Sequence, residues 1–411
     1  MDLKLIEKYG QLIVKIGLNI QENQVLVITS PIEGAEFVRI VAEMAFRQGA
    51  KDVVLNWGDE KFSKVRFMMA AEEVFEEFPQ WKKDFYLHYV KEGAAFLSIS
   101  ASDPELFMDV DPNRMAKANK ATNTALKEYR ESIMSNKNTW CVASIPTPSW
   151  AKKVFPHLTQ EKALDSLWKT ILKAVRVDKD NPISQWKDHN KNLSKTRDFL
   201  NKKNFKALHY KNSLGTDLIV ELPKGHRWLG GSEYTPEGIE FNANIPTEEV
   251  FTLPSKTGVN GRVVSTKPLN YNGNLIEDFV LDFKDGKIVD FQAGKGYETL
   301  KNIIETDEGS YYLGEVALVP YDSPISNLDI LFYNTLFDEN ASCHFAFGKA
   351  YPVCLRDGDK MTKEELEKAG VNDSLVHTDF MIGSKDLEII GTTWEGEEVE
   401  IFRNGNFVSY I

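Results

Sequence analysis

Cysteine is scarce in this chain. Only Cys141, Cys343 and Cys354 occur, an odd number with no Cys-x-x-Cys spacing, which excludes a disulfide framework and a cysteine-rich zinc module and suits a reducing compartment. No apolar run approaches the ~18 to 20 residues that span a bilayer. The start, Met1-Asp2-Leu3-Lys4-Leu5-Ile6-Glu7-Lys8, interleaves charged with apolar residues, unlike a secretory signal, and predicts an amphipathic first helix. A soluble, cytoplasmic protein without a membrane partner is expected. Basic residues are outnumbered, 49 against 61 acidic ones, and the net charge of -12 opposes a phosphate backbone, so nucleic acid is not an expected partner. Solubility accounts for most of that acidity; a buried carboxylate cluster held by cations would account for a remainder. Neither G-x-G-x-x-G nor G-x-x-x-x-G-K-[ST] occurs, and no other phosphate cradle stands out. The nucleophile elbow G-x-S-x-G is also missing, which argues against a serine hydrolase. Internal repeats, low-complexity tracts and glycine-serine linkers are absent.

What remains is an ordinary globular composition, 42% hydrophobic and 27% charged over 411 residues. That length exceeds the ~250 to 300 residues one core usually serves, so two domains are expected. In the first half, Val25-Leu26-Val27-Ile28, Val53-Val54-Leu55, Ala95-Phe96-Leu97 and Cys141-Val142-Ala143 read as strands buried on both faces, as in a parallel sheet. Phe37, Ile40, Val41 and Met44 recur at helical spacing between the first two, with Gly49 as a C-cap, and this βαβ pattern predicts an α/β domain. From about Thr159 to Lys203 the chain reads as helical, with Trp168, Ile171, Leu172 and Val175 as an apolar stripe broken at Asp180-Asn181-Pro182. We place the domain boundary near residue 200. Beyond it Asp285-Gly286 and Asn404-Gly405 predict tight type I′ hairpin turns. The expectation is an α/β N-terminal domain with a mostly parallel sheet over 1–200 and a β-rich α+β catalytic domain over 201–411.

The second half carries metal-ligand chemistry. In Leu375-Val376-His377-Thr378-Asp379-Phe380-Met381-Ile382 a strand would aim His377 and Asp379 the same way. Asp338-Glu339-Asn340-Ala341-Ser342-Cys343-His344 brings another carboxylate and imidazole; Glu339 and His344, five apart, do not share a helical face and need a turn between them. Glu315 enters the apolar strand Leu313-Gly314-Glu315-Val316-Ala317-Leu318-Val319, where it is either a solvent-facing strand end or a buried carboxylate that wants a cation. Asn244-Ile245-Pro246-Thr247-Glu248-Glu249-Val250-Phe251-Thr252 reads alternatively as a helix start. His88, His157, His189, His209 and His226 lack carboxylates at ligand spacing and are treated as structural or exposed. Glu249, Glu315, Glu339 and Asp379 gathered in a cleft would be forced to protonate by mutual repulsion, and two divalent ions would cancel them. Imidazole and oxygen donors without thiolate suit Zn²⁺, Co²⁺ or Mn²⁺.

These segments, in this order, resemble the aminopeptidase T and aminopeptidase PepS family of metallopeptidases, and Lys91-Glu92-Gly93-Ala94-Ala95 is similar too. The resemblance implies a broad-specificity cytoplasmic aminopeptidase that releases the first residue of peptides with a free N-terminus. It also implies two divalent metals per subunit and a homodimer enclosing its active sites. It places metal ligands at Glu249, Glu315, Glu339, His344, His377 and Asp379, with Glu315 bridging, and a catalytic tyrosine at Tyr351. Tyr351, seven residues beyond His344, would share a helical face with that ligand; the alternative is a core tyrosine beside Phe345 and Phe347. Glu248, next to ligand Glu249, is the candidate general base, by analogy with other dinuclear peptidases. The other readings are a dinuclear hydrolase of another amide or a phosphoester, and a metal-stabilised protein that binds peptides without cutting them.

Overall fold

The computed structural model describes residues 2–101, 103–271 and 273–409. The chain divides into two compact units, one formed by Met1–Asn190 with Ser232–Thr247 and the other by Lys191–Gly231 with Glu248–Ile411.

In the first unit the four expected strands form one parallel sheet in the order Asp52–Gly58, Val25–Pro31, Ala95–Ser100, Trp140–Ser144. Strand Val25–Pro31 is central, and its Leu26, Val27 and Ile28 are buried, as βαβ packing requires. Asp52–Gly58 departs from the expectation of two covered faces. It is an edge strand with no buried residue, and Leu55 and Trp57 are exposed. Helix Gln80–Lys91 lays Phe85, Tyr86, Tyr89 and Val90, none of them fully buried, in one cluster with Val54, so one face of this strand is partly covered while Leu55 and Trp57 on the other stay open. Helix Ala35–Gln48 buries Phe37, Val38, Val41 and Ala45 and ends at Gly49, whose φ of 106° makes it a left-handed cap. The first helix, Leu3–Leu12, buries Ile6, Tyr9 and Leu12. Thr159 caps helix Gln160–Ala174, in which Trp168, Ile171 and Leu172 are buried, and Pro182 opens the next helix. Beyond Trp140–Ser144, Val142 N–H donates to Ala243 O at 2.7 Å and Ile245 N–H to Val142 O at 2.9 Å, so the returning segment docks on the sheet edge.

The second unit is built on two antiparallel sheets. The larger has eight strands in the order Lys287–Gln292, Val280–Lys284, Val259–Val264, Asp217–Glu221, Phe205–Lys211, Glu388–Thr393, Glu398–Arg403, Asn406–Phe407. Its hairpins turn where expected: Asp285 and Gly286 have φ of 49° and 82°, and Asn404 and Gly405 have 50° and 72°, the two positive angles of a type I′ turn. The smaller sheet runs His377–Met381, His344–Gly348, Leu313–Leu318, Val250–Thr252, Leu229–Gly230. One core joins the two sheets, with Leu208, Tyr210, Val220 and Ile389 from the larger and Val250, Val316, Phe345 and Phe380 from the smaller. Tyr210 and Phe345 meet across it with ring centroids 5.1 Å apart. Truncating an aromatic so placed costs about 3–5 kcal/mol, so this core holds the smaller sheet as a rigid platform.

Candidate metal centre

The smaller sheet has two chemically different faces, sorted by the alternation of its strands. Val250, Val316, Leu318, Phe345, Phe347 and Phe380 belong to the core. On the opposite face register aligns Phe251, Ala317, His344 and Met381 in one row and Glu315, Ala346 and Asp379 in the next, with Gly348 beside His377. Glu249, two residues before Phe251, falls on the same side. Ala317 and Ala346 keep the floor between the polar groups low.

Glu315 reaches this face through a bulge. Leu313 pairs with Phe347 and Glu315 with Ala346, so one residue, Gly314, is extra. A Cβ on Gly314 would clash with Lys349 O and would stand 2.5 Å from Gly348 O, so only glycine fits. Every residue of Leu313–Leu318 is buried and Glu315 is 5% exposed, which removes the solvent-facing reading of that carboxylate. The helix-start reading around Glu249 also fails: the chain there is irregular and passes directly into strand Val250–Thr252. The turn required between Glu339 and His344 is present as a short helix, Thr335–Asp338, followed by a 3₁₀ turn, Glu339–Ala341, before strand His344–Gly348.

Two triads of ligand type result, Glu249 with Glu315 and His344, and Glu315 with His377 and Asp379, each with its donor atoms within 4.8 Å of one another. His344 Nε2 lies 3.0 Å from Glu249 Oε2 and 3.7 Å from Glu315 Oε1. His377 Nε2 lies 3.4 Å from Glu315 Oε2 and 3.5 Å from Asp379 Oδ1. The other ring nitrogens are committed: His344 Nδ1 donates to Glu339 O at 3.0 Å and Ser342 O at 3.1 Å, and His377 Nδ1 to Lys349 O at 2.7 Å. A carbonyl can only accept, so each ring keeps its proton on Nδ1 and turns Nε2 toward the carboxylates, the tautomer a metal ligand needs.

Glu339 stands outside both triads yet within their field. Burial first, then the charges of Asp379 and Glu249, raise its pKa well above the usual value. Burial likewise raises Glu249, against the pull of His344. Burial opposes charge on the two imidazoles, but the surrounding carboxylates outweigh it and hold both well above the ordinary histidine value. Asp379 goes the other way: burial raises it, and the His377 and His344 charges lower it further than that. Glu249 Oε2 and Asp379 Oδ1 are buried and accept no well-aligned hydrogen bond beyond these imidazole contacts. Four carboxylates, two Nε2 lone pairs, no thiolate and under-satisfied buried oxygens fit hard or borderline divalent cations.

Tyr351 lies in a loop, because His344–Gly348 is a strand and the chain turns at Gly348, where φ is 91°. The helical-face argument for it is therefore wrong, though the residue still arrives at the site. Its ring meets His377 at 4.6 Å and Phe251 at 6.2 Å between centroids. It packs with Leu253, Ala350 and Leu355, a cluster separate from Phe345 and Phe347. Burial and the charges of Glu315, Asp379, Glu339 and Glu249 raise its pKa well above the usual value, so the phenol remains a donor. Glu248 is buried, and its backbone N–H donates to Asn340 Oδ1 at 2.7 Å. Sequence reading missed Gly314, Phe251 and Asn340; only Gly314 left a signal, a glycine inside an apolar strand just before its acid. It also missed the partner of His209, whose Nε2 is 2.7 Å from Asp217 Oδ1 on the neighbouring strand, an exposed pair unrelated to the centre.

The family described as thermophilic metalloprotease (M29) matches residues 3–407. The chain is 52% identical over 404 residues to aminopeptidase 2 of Geobacillus stearothermophilus and 49% identical over 402 residues to aminopeptidase AmpS of Bacillus subtilis, covering 98% of each chain in both cases. A solved structure titled wild-type AmpT from Thermus thermophilus superposes with a TM-score of 0.92 at 39% identity, covering 99% of each chain.

Proposed function

The chain belongs to the thermophilic metalloprotease (M29) family and is a metal-dependent aminopeptidase; we propose that it works through two divalent ions sharing Glu315. One observation carries this reading. The two oxygens of Glu315 face different imidazoles, Oε1 at 3.7 Å from His344 and Oε2 at 3.4 Å from His377, so one carboxylate serves both triads.

In this reading Glu249 and His344 complete one site, and His377 and Asp379 the other. Glu339 closes the set as a further ligand, supported by the field of Asp379 and Glu249 that it feels. Zn²⁺, Co²⁺ and Mn²⁺ match the donor atoms. Ions held there would supply Lewis acidity toward the scissile carbonyl and would lower the pKa of water.

The remaining work falls to side chains. Glu248 takes the proton from the attacking water and passes it to the leaving amine. Tyr351, held protonated by burial and by its acidic neighbours, donates a hydrogen bond to the oxygen that becomes negative as the carbonyl is attacked. In this reading a free, neutral α-amine would find a ligand position on such an ion that an internal peptide bond cannot offer, in keeping with exopeptidase action on peptides that have a free N-terminus.

Broad specificity, a homodimer and a cytoplasmic location complete the proposal. The exposed Leu55, Trp57, Phe62, Met68, Met69 and Trp81 of the first unit support a second copy as partner. Three buried cysteines, none of them in a disulfide, support a reducing compartment. Among the described residues no helix is long and apolar enough to cross a membrane. The test is to incubate apo and metal-loaded protein with a mixed peptide set and follow released amino acids by mass spectrometry. Release of first residues by the loaded form alone is expected, and intact peptides in both would defeat the proposal.

A further inference from the structure

Asn340 ties together the two segments that bring acids to the centre. Its side chain is fully buried. Oδ1 accepts the backbone N–H of Glu248 at 2.7 Å, while Nδ2 donates to Leu336 O at 2.9 Å and lies 3.5 Å from Glu339 Oε1. The backbone C=O of Asn340 accepts from Ser323 Oγ at 3.4 Å. Both ends of the amide are therefore specified, an acceptor toward Glu248 and a donor toward the helix carbonyl and the Glu339 carboxylate. No other side chain of this size supplies both. We propose that Asn340 is a positioning residue that fixes the backbone from which Glu248 projects, in register with Glu339. The inference rests on reading Glu248 as the general base.

The experiment is a double-variant cycle on the metal-loaded full chain, with kcat, KM and bound metal measured for the wild type, Asn340→Leu, Asn340→Asp, Glu248→Gln and each double variant, using Leu-p-nitroanilide. Asn340→Leu is expected to lower kcat ~10- to 100-fold while KM and metal content hold, the size typical of losing a partner that orients an active-site group. Asn340→Asp keeps the acceptor for Glu248 N–H but turns an oxygen toward Leu336 O and Glu339 Oε1, so it should also lower kcat. Neither change should slow Glu248→Gln further, because the group they position no longer acts. Wild-type kcat in Asn340→Leu, a loss explained by departed metal, or losses that multiply in the double variants would overturn the proposal. If Asn340→Leu does not fold, Asn340→Asp completes the same cycle with the same criterion. Full turnover in Glu248→Gln would instead remove the base assignment beneath it, whatever the Asn340 variants do.

Discussion

Leu313 and Glu315 stand two residues apart on one strand yet face opposite sides of their sheet, the first in the core and the second among the imidazoles and carboxylates that could hold a metal ion. The bulge at Gly314 makes this possible, and it has no room for a Cβ. Gly314→Ala is expected to cost at least the ~1–3 kcal/mol of a typical overpacked site and to lower metal content together with melting temperature. Thermal melting and elemental analysis of the purified variant check this. Wild-type metal content in the alanine variant would show that the bulge does not position Glu315.

Glu315 is the carboxylate common to both triads, whereas His377 belongs to one. Glu315→Ala should therefore retain neither ion after dialysis, and His377→Ala should keep the one held by Glu249, Glu315 and His344. Metal per chain, measured by plasma mass spectrometry, distinguishes the two. Equal loss in both variants would contradict the shared-ligand arrangement.

Tyr351 faces His377 across 4.6 Å and is kept protonated by its surroundings. Tyr351→Phe removes only the hydroxyl, so metal content and KM should stay close to wild type while kcat falls ~10²- to 10³-fold, as when an oxyanion donor is lost elsewhere. Unchanged kcat would take the phenol out of the reaction.

The metal-free protein should lose stability as pH rises. Glu249, Glu339, His344 and His377 all bind their protons more tightly folded than unfolded. The stability each contributes is complete below its unfolded pKa and is lost as pH climbs toward the folded value, so melting temperature should fall as pH rises above 4.5, where the carboxyls begin to contribute less, and further above 6.5, where the imidazoles do. Asp379, held low, opposes this only in acid, where its contribution is lost as pH drops through its folded value. A divalent ion displaces these protons, so its binding strengthens with pH and should flatten or reverse the slope. Melting curves with and without metal across that range decide it, and a metal-free protein that grows more stable as pH rises above 6.5 would contradict it.

Much of this was legible in the sequence, and the limits are those of local patterns. The four apolar runs around Leu26, Val53, Phe96 and Cys141 declared a parallel sheet because apolar strands alternating with a helical stripe have few other solutions. Asp285-Gly286 and Asn404-Gly405 declared their hairpins because few residues accept positive φ at two successive positions. The exposure of Leu55 and Trp57 was not legible, since an edge strand and a central one share a composition and differ only in what covers them. Within the centre, His377 and Asp379 announced themselves through strand alternation. Tyr351 did not, because a seven-residue interval has meaning on a helix and none across a strand and a turn. Asn340 was hidden for another reason: its chief partner, the Glu248 amide, is 92 residues away in sequence.

The mechanism depends most on one carboxylate being shared by two ions. Crystals of the metal-loaded protein measured at the absorption edge of the bound metal test this directly. Two anomalous peaks are predicted, each about 2.0–2.2 Å from a different oxygen of Glu315. A single peak, or two peaks that do not both touch Glu315, would contradict it.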